Sequence, residues 1–243
     1  MTSAPQENPG PGGSLAPAAW RAWVDHVLPF AAWIVIMFVP IAAGTRYAVQ
    51  TAAGLALLLV CRPWRYYPRP NPAAIVPALA VGLLVFGIWV LPEASCLRRF
   101  PGVAEFYRLY AIRPFGPKPD SISASPYAPA AAGWTLTLIK LGGSAFVIAV
   151  IEEFFWRGFL LRWMADRNFL PYPVERISPA LFLVVAACFG SEHNRWLVGI
   201  LAGLLFGALY VKTRDIWAAT LAHVVTNLAL GIYVLRTGAY GFW

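Results

Sequence analysis

Between Lys140 and Arg162 lie 21 residues whose only charges are Glu152, Glu153 and Arg157. At about 1.5 Å of rise per residue, a helix of that length covers the roughly 30 Å hydrocarbon layer of a bilayer. In lipid every backbone polar group must be satisfied internally, so such a run has to be a helix. The two carboxylates then sit near mid-membrane. A charge there costs at least about 2.5 kcal/mol, and ionisable residues inside spans usually face a polar cavity and mark function. The rest of the chain reads as a scaffold that brings partners to this helix.

Composition extends the same argument to the whole chain. Of 243 residues 59% are hydrophobic and 12% charged, and the mean hydropathy is +0.62, far from the balance of a soluble domain. The sequence predicts an all-α fold, a polytopic transmembrane helical bundle of about seven spans, with about six to eight compatible with the apolar runs. A net charge of +8 would suggest nucleic acid in a soluble protein. In a membrane protein it reflects Lys and Arg collected in cytoplasmic loops, so the lipid bilayer is the expected partner and nucleic acid is not. Cys61, Cys96 and Cys188 show no metal-type or redox spacing and read as structural.

Taken in order, residues 1–22 read as a disordered tail rich in Pro, Gly, Ala and Ser. Spans are expected at 27–44, interrupted by Pro40, and at 47–61, with the turn between them at 43–46. The basic and aromatic run 62–69 suits an anchor at the cytoplasmic interface. A third span covers 72–91, and a loop follows at 92–132 with seven prolines and the patch Leu97-Arg98-Arg99-Phe100. Within it, residues 105–110 read as a short interfacial helix, and the loop either gates substrate or connects passively. The charged span at 140–162 is preceded by an interfacial turn near Trp134. Residues 178–190 offer only 13 apolar positions, about 20 Å of helix and too short to cross. The polar cluster Ser191–Arg195 is therefore expected inside the protein at membrane depth. Gly199, Gly203 and Gly207 give the helix at 196–211 a smooth packing face, and the last span, 216–235, carries His223 and Asn227. Four regions result: the tail 1–22, the N-terminal spans and loop 23–133, a core at 134–235 and a C-terminal tail 236–243. Short segments on the N-terminal side of the membrane hold nine basic residues against three opposite, while the 92–132 loop adds five against that bias. The N-terminus is expected in the cytoplasm.

Spacing groups the buried polar residues. Glu153 and Arg157 are four apart on one helix face, as are His223 and Asn227. Glu152 is turned about 100° from Glu153, so one carboxylate can pair with Arg157 while the other faces a cavity. Three separate helices presenting such groups, in a chain with only three histidines, point to a site. The chemistry they support is attack by water on an amide. A carboxylate base is worth about 10²- to 10⁴-fold and oxyanion donors about 10²- to 10³-fold. Glu152, His193 and His223 also form a ligand set known from catalytic zinc sites, so a divalent metal such as zinc stays open, although no HExxH arrangement is present. The same acids and histidines would also suit a proton-coupled carrier, or a non-catalytic immunity or scaffold protein on one fold.

The motifs Glu152-Glu153-x-x-x-Arg157, Phe189-x-x-x-His193 and His223-x-x-x-Asn227, in that order and each on or beside an apolar helix, resemble those of the CAAX prenyl protease and bacteriocin-processing family of intramembrane endopeptidases. The resemblance covers residues 134–235. It implies a membrane enzyme cleaving a peptide bond near the C-terminus of a membrane-embedded or membrane-anchored protein, which in eukaryotes is prenylated on a CAAX cysteine. Carried over, Glu152 activates water with help from His193, His223 and Asn227 stabilise the oxyanion, and Glu153, Arg157 and Phe189 support them. Members were long called metalloproteases, and a glutamate-dependent mechanism fits this residue set equally. One variant of the family accompanies bacterial exosortase sorting systems. The size and extra N-terminal spans here suit it, which implies the plasma membrane of a bacterium.

Overall fold

A computed structural model describes residues 17–93, 99–112 and 125–243. Of the tail read at 1–22, residues 17–22 are helical rather than disordered, whereas residues 1–16 lie outside the described residues, as does the Leu97-Arg98 half of the loop patch. All regular structure within them is helical: α1 (Pro17–Met37), α2 (Ala43–Cys61), α3 (Ile75–Val90), the short α4 (Pro101–Phe106), α5 (Pro129–Trp163), α6 (Pro179–Ser191), α7 (Trp196–Thr213) and α8 (Ile216–Thr237). Five stretches are long and apolar enough to cross a membrane, namely α5, α7, α8, Ala43–Tyr66 around α2 and Pro72–Glu93 around α3. With α1 and the 13-residue α6, seven helices form the bundle.

The first hairpin turns earlier than its hydropathy suggests. Pro40 lacks an N–H and cannot continue a helix, so the chain turns over residues 38–42, and Arg46, expected in the turn, lies inside α2. Gln50 of α2 donates to the Trp33 carbonyl at 3.0 Å, a buried polar tie of the kind that joins membrane helices. At its other end α1 begins at Pro17, ten residues before the expected span. The reason is a polar knot: buried Asp25 accepts from the Tyr66 hydroxyl at 2.7 Å and pairs with Arg21 and Arg65. Residues 62–69, read as an interface anchor, therefore fold back onto α1.

Close backbone approach assembles the remaining helices. Gly82 of α3 lies so near α8 that an added Cβ would stand 2.6 Å from the Ala222 carbonyl oxygen, and Thr226 donates to the Gly82 carbonyl at 2.8 Å. Ser178 caps α6 by accepting from the Leu181 N–H, with Pro179 in the first turn. The glycine stripe of α7 then meets α6 directly, Gly199 against Gly190, Gly203 against Ala186 and Gly207 against Phe182. A methyl group on Gly190 would stand 2.6 Å from the Ile200 nitrogen and 2.7 Å from the Trp196 oxygen. Backbone cannot swing aside as a side chain can. Gly190→Ala is therefore expected to cost about 1–3 kcal/mol through overpacking, seen as a lower unfolding midpoint in detergent; an unchanged midpoint would show that the two helices are free to separate.

The 101–111 segment is helical, as expected for an interfacial helix, and packs Tyr107 and Ala111 against Val198. Buried Arg195 ties three parts of the chain at the start of α7. It pairs with Glu93 beyond α3, donates to the Gly241 carbonyl at 2.9 Å and covers the Phe242 ring at 4.0 Å. Residues 240–242, read as tail, thus form a fixed turn on the bundle.

Candidate active site

Glu152 and Glu153 end a five-residue α-helical stretch, Ala149–Glu153, lying between two π-helical stretches of α5, Gly143–Ile148 and Phe154–Leu160. A π turn carries an extra residue, rotates everything beyond it and is frequent at functional sites. Packing accounts for the first one. At Gly143 an added Cβ would stand 2.9 Å from Tyr47 Cε1 and would strike Thr51, so α2 crosses α5 where the backbone is bare.

Glu153 holds the centre. Its Oε1 accepts from Arg157 Nη1 at 2.8 Å and faces His223 Nδ1 at 2.9 Å. Arg157 also donates to the Gly203 carbonyl at 3.2 Å and lies 4.2 Å over the Phe189 ring. Glu153, Arg157 and His223 are all buried, at 0%, 2% and 4% exposure, so each depends on the others for the solvation that water no longer supplies. Glu152 differs. Its side chain keeps 13% exposure, and its carboxylate stands 3.8 Å from His223 Nε2. The imidazole of His223 therefore stands between the two glutamates, with Phe206 stacked on it at 4.9 Å.

The other motif residues surround this pair. His193 Nδ1 meets the Phe189 carbonyl at 2.8 Å; a carbonyl only accepts, so Nδ1 carries the hydrogen and Nε2 is left with a lone pair. Phe189 lies 4.8 Å from the His193 ring and 5.9 Å from that of His223. One ring thus spaces both histidines and supports Arg157, which explains an aromatic residue four positions before His193. Asn227 donates Nδ2–H to the Ser144 carbonyl at 2.8 Å and keeps a second N–H. It enters one turn beyond His223 on α8, braced against the first π stretch.

The expected pairing of Glu153 with Arg157 is present, and Glu152 does take the more open position. His223 lies closer to Glu153 than a partnership with Asn227 alone implies. Two residues were missed. Trp156 Nε1 donates to Glu192 Oε1 at 2.7 Å, clipping the helix of Glu152 to the loop of His193. Only the nearness of Glu192 to His193 in the chain hinted at this. For a metal the fit is poor: among the described residues no three side chains of His, Cys, Asp or Glu gather where one ion could be held. Glu152 and His223 approach each other, but His193 does not complete a ligand set with them.

Residues 132–229 match the family model described as type II CAAX prenyl endopeptidase Rce1-like. This stretch belongs to the CAAX prenyl protease family. The CAAX-protease domain coincides with the part of the chain that carries all three motifs, and it runs from the start of α5 into α8. At family level it is a CAAX-type intramembrane protease, a hydrolase in an integral membrane protein. No curated protein and no solved structure matches the chain.

Proposed function

We propose that the protein is an intramembrane endopeptidase in which Glu152 activates the attacking water. The supporting observation is the placement of His223, with Glu153 2.9 Å from one ring nitrogen and Glu152 3.8 Å from the other, beside Asn227 and a His193 whose Nε2 is free. Glu152 takes a proton from water as the oxygen bonds to the scissile carbonyl carbon. His193 Nε2 orients that water by accepting its other hydrogen. The carbonyl electrons move onto oxygen, where the second N–H of Asn227 and Nε2–H of His223 receive the charge. With Nδ1 facing Glu153, His223 offers Nε2–H to the oxyanion only when both ring nitrogens carry a hydrogen. Collapse then breaks the C–N bond, and the proton held by Glu152 passes to the leaving amine.

The substrate on this reading is a membrane-anchored protein, lipidated or not, that reaches a core of residues 134–235. The N-terminus faces the cytoplasm, and the membrane is the plasma membrane of a bacterium. Purified protein in nanodiscs, given fluorogenic and prenylated C-terminal peptides, is expected to cleave at the same rate with and without chelator. His193→Ala is expected to lower kcat by about 10²-fold. Loss of activity with chelator would overturn the glutamate-type mechanism, and an unchanged rate in His193→Ala would remove that residue from it.

A further inference from the structure

Lys140 carries a cation that the mechanism does not use. Its Nζ lies 3.9 Å from the centre of the Tyr47 ring and 4.9 Å from that of Tyr127. The two rings meet edge to face at 5.6 Å, so they form two walls of a cage. The cage is fixed in advance: Thr137 donates to the Tyr127 carbonyl at 2.8 Å, the Tyr127 N–H reaches Ser125 Oγ at 3.2 Å, and Tyr47 packs on Gly143. Aromatic faces attract an ammonium but accept none of its hydrogen bonds strongly. Among the described residues Lys140 has no hydrogen-bond or ion-pair partner besides the two rings, so its three N–H donors are available to an acceptor. Lys140 is half-buried, so an anion can reach its ammonium and supply the charge-assisted hydrogen bonds that the rings cannot.

The cage also adjoins the reacting groups. Tyr47 packs on Gly143, the residue before Ser144, whose carbonyl holds Asn227. Lys140 and Glu152 are twelve residues apart on α5, about 18 Å at roughly 1.5 Å per residue. That distance is about five residues of extended peptide at roughly 3.4 Å each. An anion at Lys140 can therefore belong to the chain whose bond lies at Glu152.

We propose that the Lys140 ammonium, between Tyr47 and Tyr127, binds a carboxylate of the peptide substrate, either its C-terminal group or an acidic side chain at the same distance from the scissile bond. The assignment rests on the peptidase reading, and its test is one of binding, so the two can fail separately. Full-length Glu152→Gln in nanodiscs is titrated with a fluorescent apolar hexapeptide ending in a free carboxylate, with its C-terminal amide, and with the amide carrying Asp at the last position. The free acid is expected to bind at least tenfold more tightly than the plain amide. That preference should persist when Lys140→Arg is added and vanish with Lys140→Met. Recovery of affinity by the Asp-bearing amide would assign the site to an acidic side chain, and no recovery would assign it to the chain end. Equal binding of acid and amide, binding of neither, or a preference that survives Lys140→Met would overturn the proposal. A lysine that serves only as a lipid anchor gives the first of these results. Failure of the peptidase reading would appear differently, as a free-acid peptide that is bound through Lys140 and never cleaved by the unmodified protein.

Discussion

Glu152→Gln is expected to lower the rate of peptide cleavage by about 10²- to 10⁴-fold, the range that a positioned general base supplies, while the protein still inserts and unfolds at nearly its normal midpoint. The two halves of this expectation have one origin. The Glu152 side chain keeps 13% exposure, and His223 Nε2 stands 3.8 Å away, too long for a hydrogen bond. An amide of the same shape therefore removes the base without leaving a buried partner stranded, and its effect on stability should stay within about 1 kcal/mol. Glu153→Gln is the informative contrast. Glu153 is fully buried and shared by Arg157 and His223, so its loss of charge should lower stability and activity together. Cleavage of the peptide panel and thermal unfolding, measured on both variants, separate the roles. A Glu152→Gln protein that cleaves at the full rate would refute Glu152 as the base, and one that fails to fold would make it a structural residue.

What the sequence could convey depends on how local each interaction is. The i, i+4 pairing of Glu153 with Arg157 is set by helix geometry alone, and it is present at 2.8 Å. The α7 glycines and the short α6 were likewise legible, since a stripe of small residues and a 13-residue apolar run state their packing and length directly. The π turns on either side of the two glutamates left no such trace. The first begins where α2 reaches α5 at Gly143, a contact between residues about 90 positions apart along the chain. The bond from Trp156 to Glu192 crosses 36 residues and that from His223 to Glu153 crosses 70. Spacing along one helix could not reveal either. The start of α1 was misplaced for a related reason. Arg21, Asp25 and His26 look like the end of an apolar span, yet Asp25 is buried by Arg65 and Tyr66 from a segment 40 residues later.

Arg157→Met is expected to be the most destabilising single change in the site, by about 3 kcal/mol, because it leaves the buried Glu153 carboxylate with His223 as its remaining partner. Methionine fills much of the volume against Phe189 but satisfies neither Glu153 Oε1 nor the Gly203 carbonyl. Glu153 is poorly placed to bear this, since its Oε2 already has no hydrogen-bond partner among the described residues. Adding Glu153→Gln to Arg157→Met should restore most of the lost stability. The amide is neutral, and its oxygen can still accept from His223 Nδ1. Activity should not return, because Phe189, which spaces both histidines, has lost the guanidinium that lay on its ring. Arg157→Lys tests the geometry of the pair at constant charge. One ammonium cannot reach Glu153 and Gly203 while also lying flat on Phe189 as a guanidinium does, so a partial loss is expected. The four proteins form a double-mutant cycle read by thermal unfolding in detergent. A coupling energy near zero between positions 153 and 157 would mean that the 2.8 Å pair contributes nothing to the fold, and the three-way contact with His223 would then have to be held by helix packing alone.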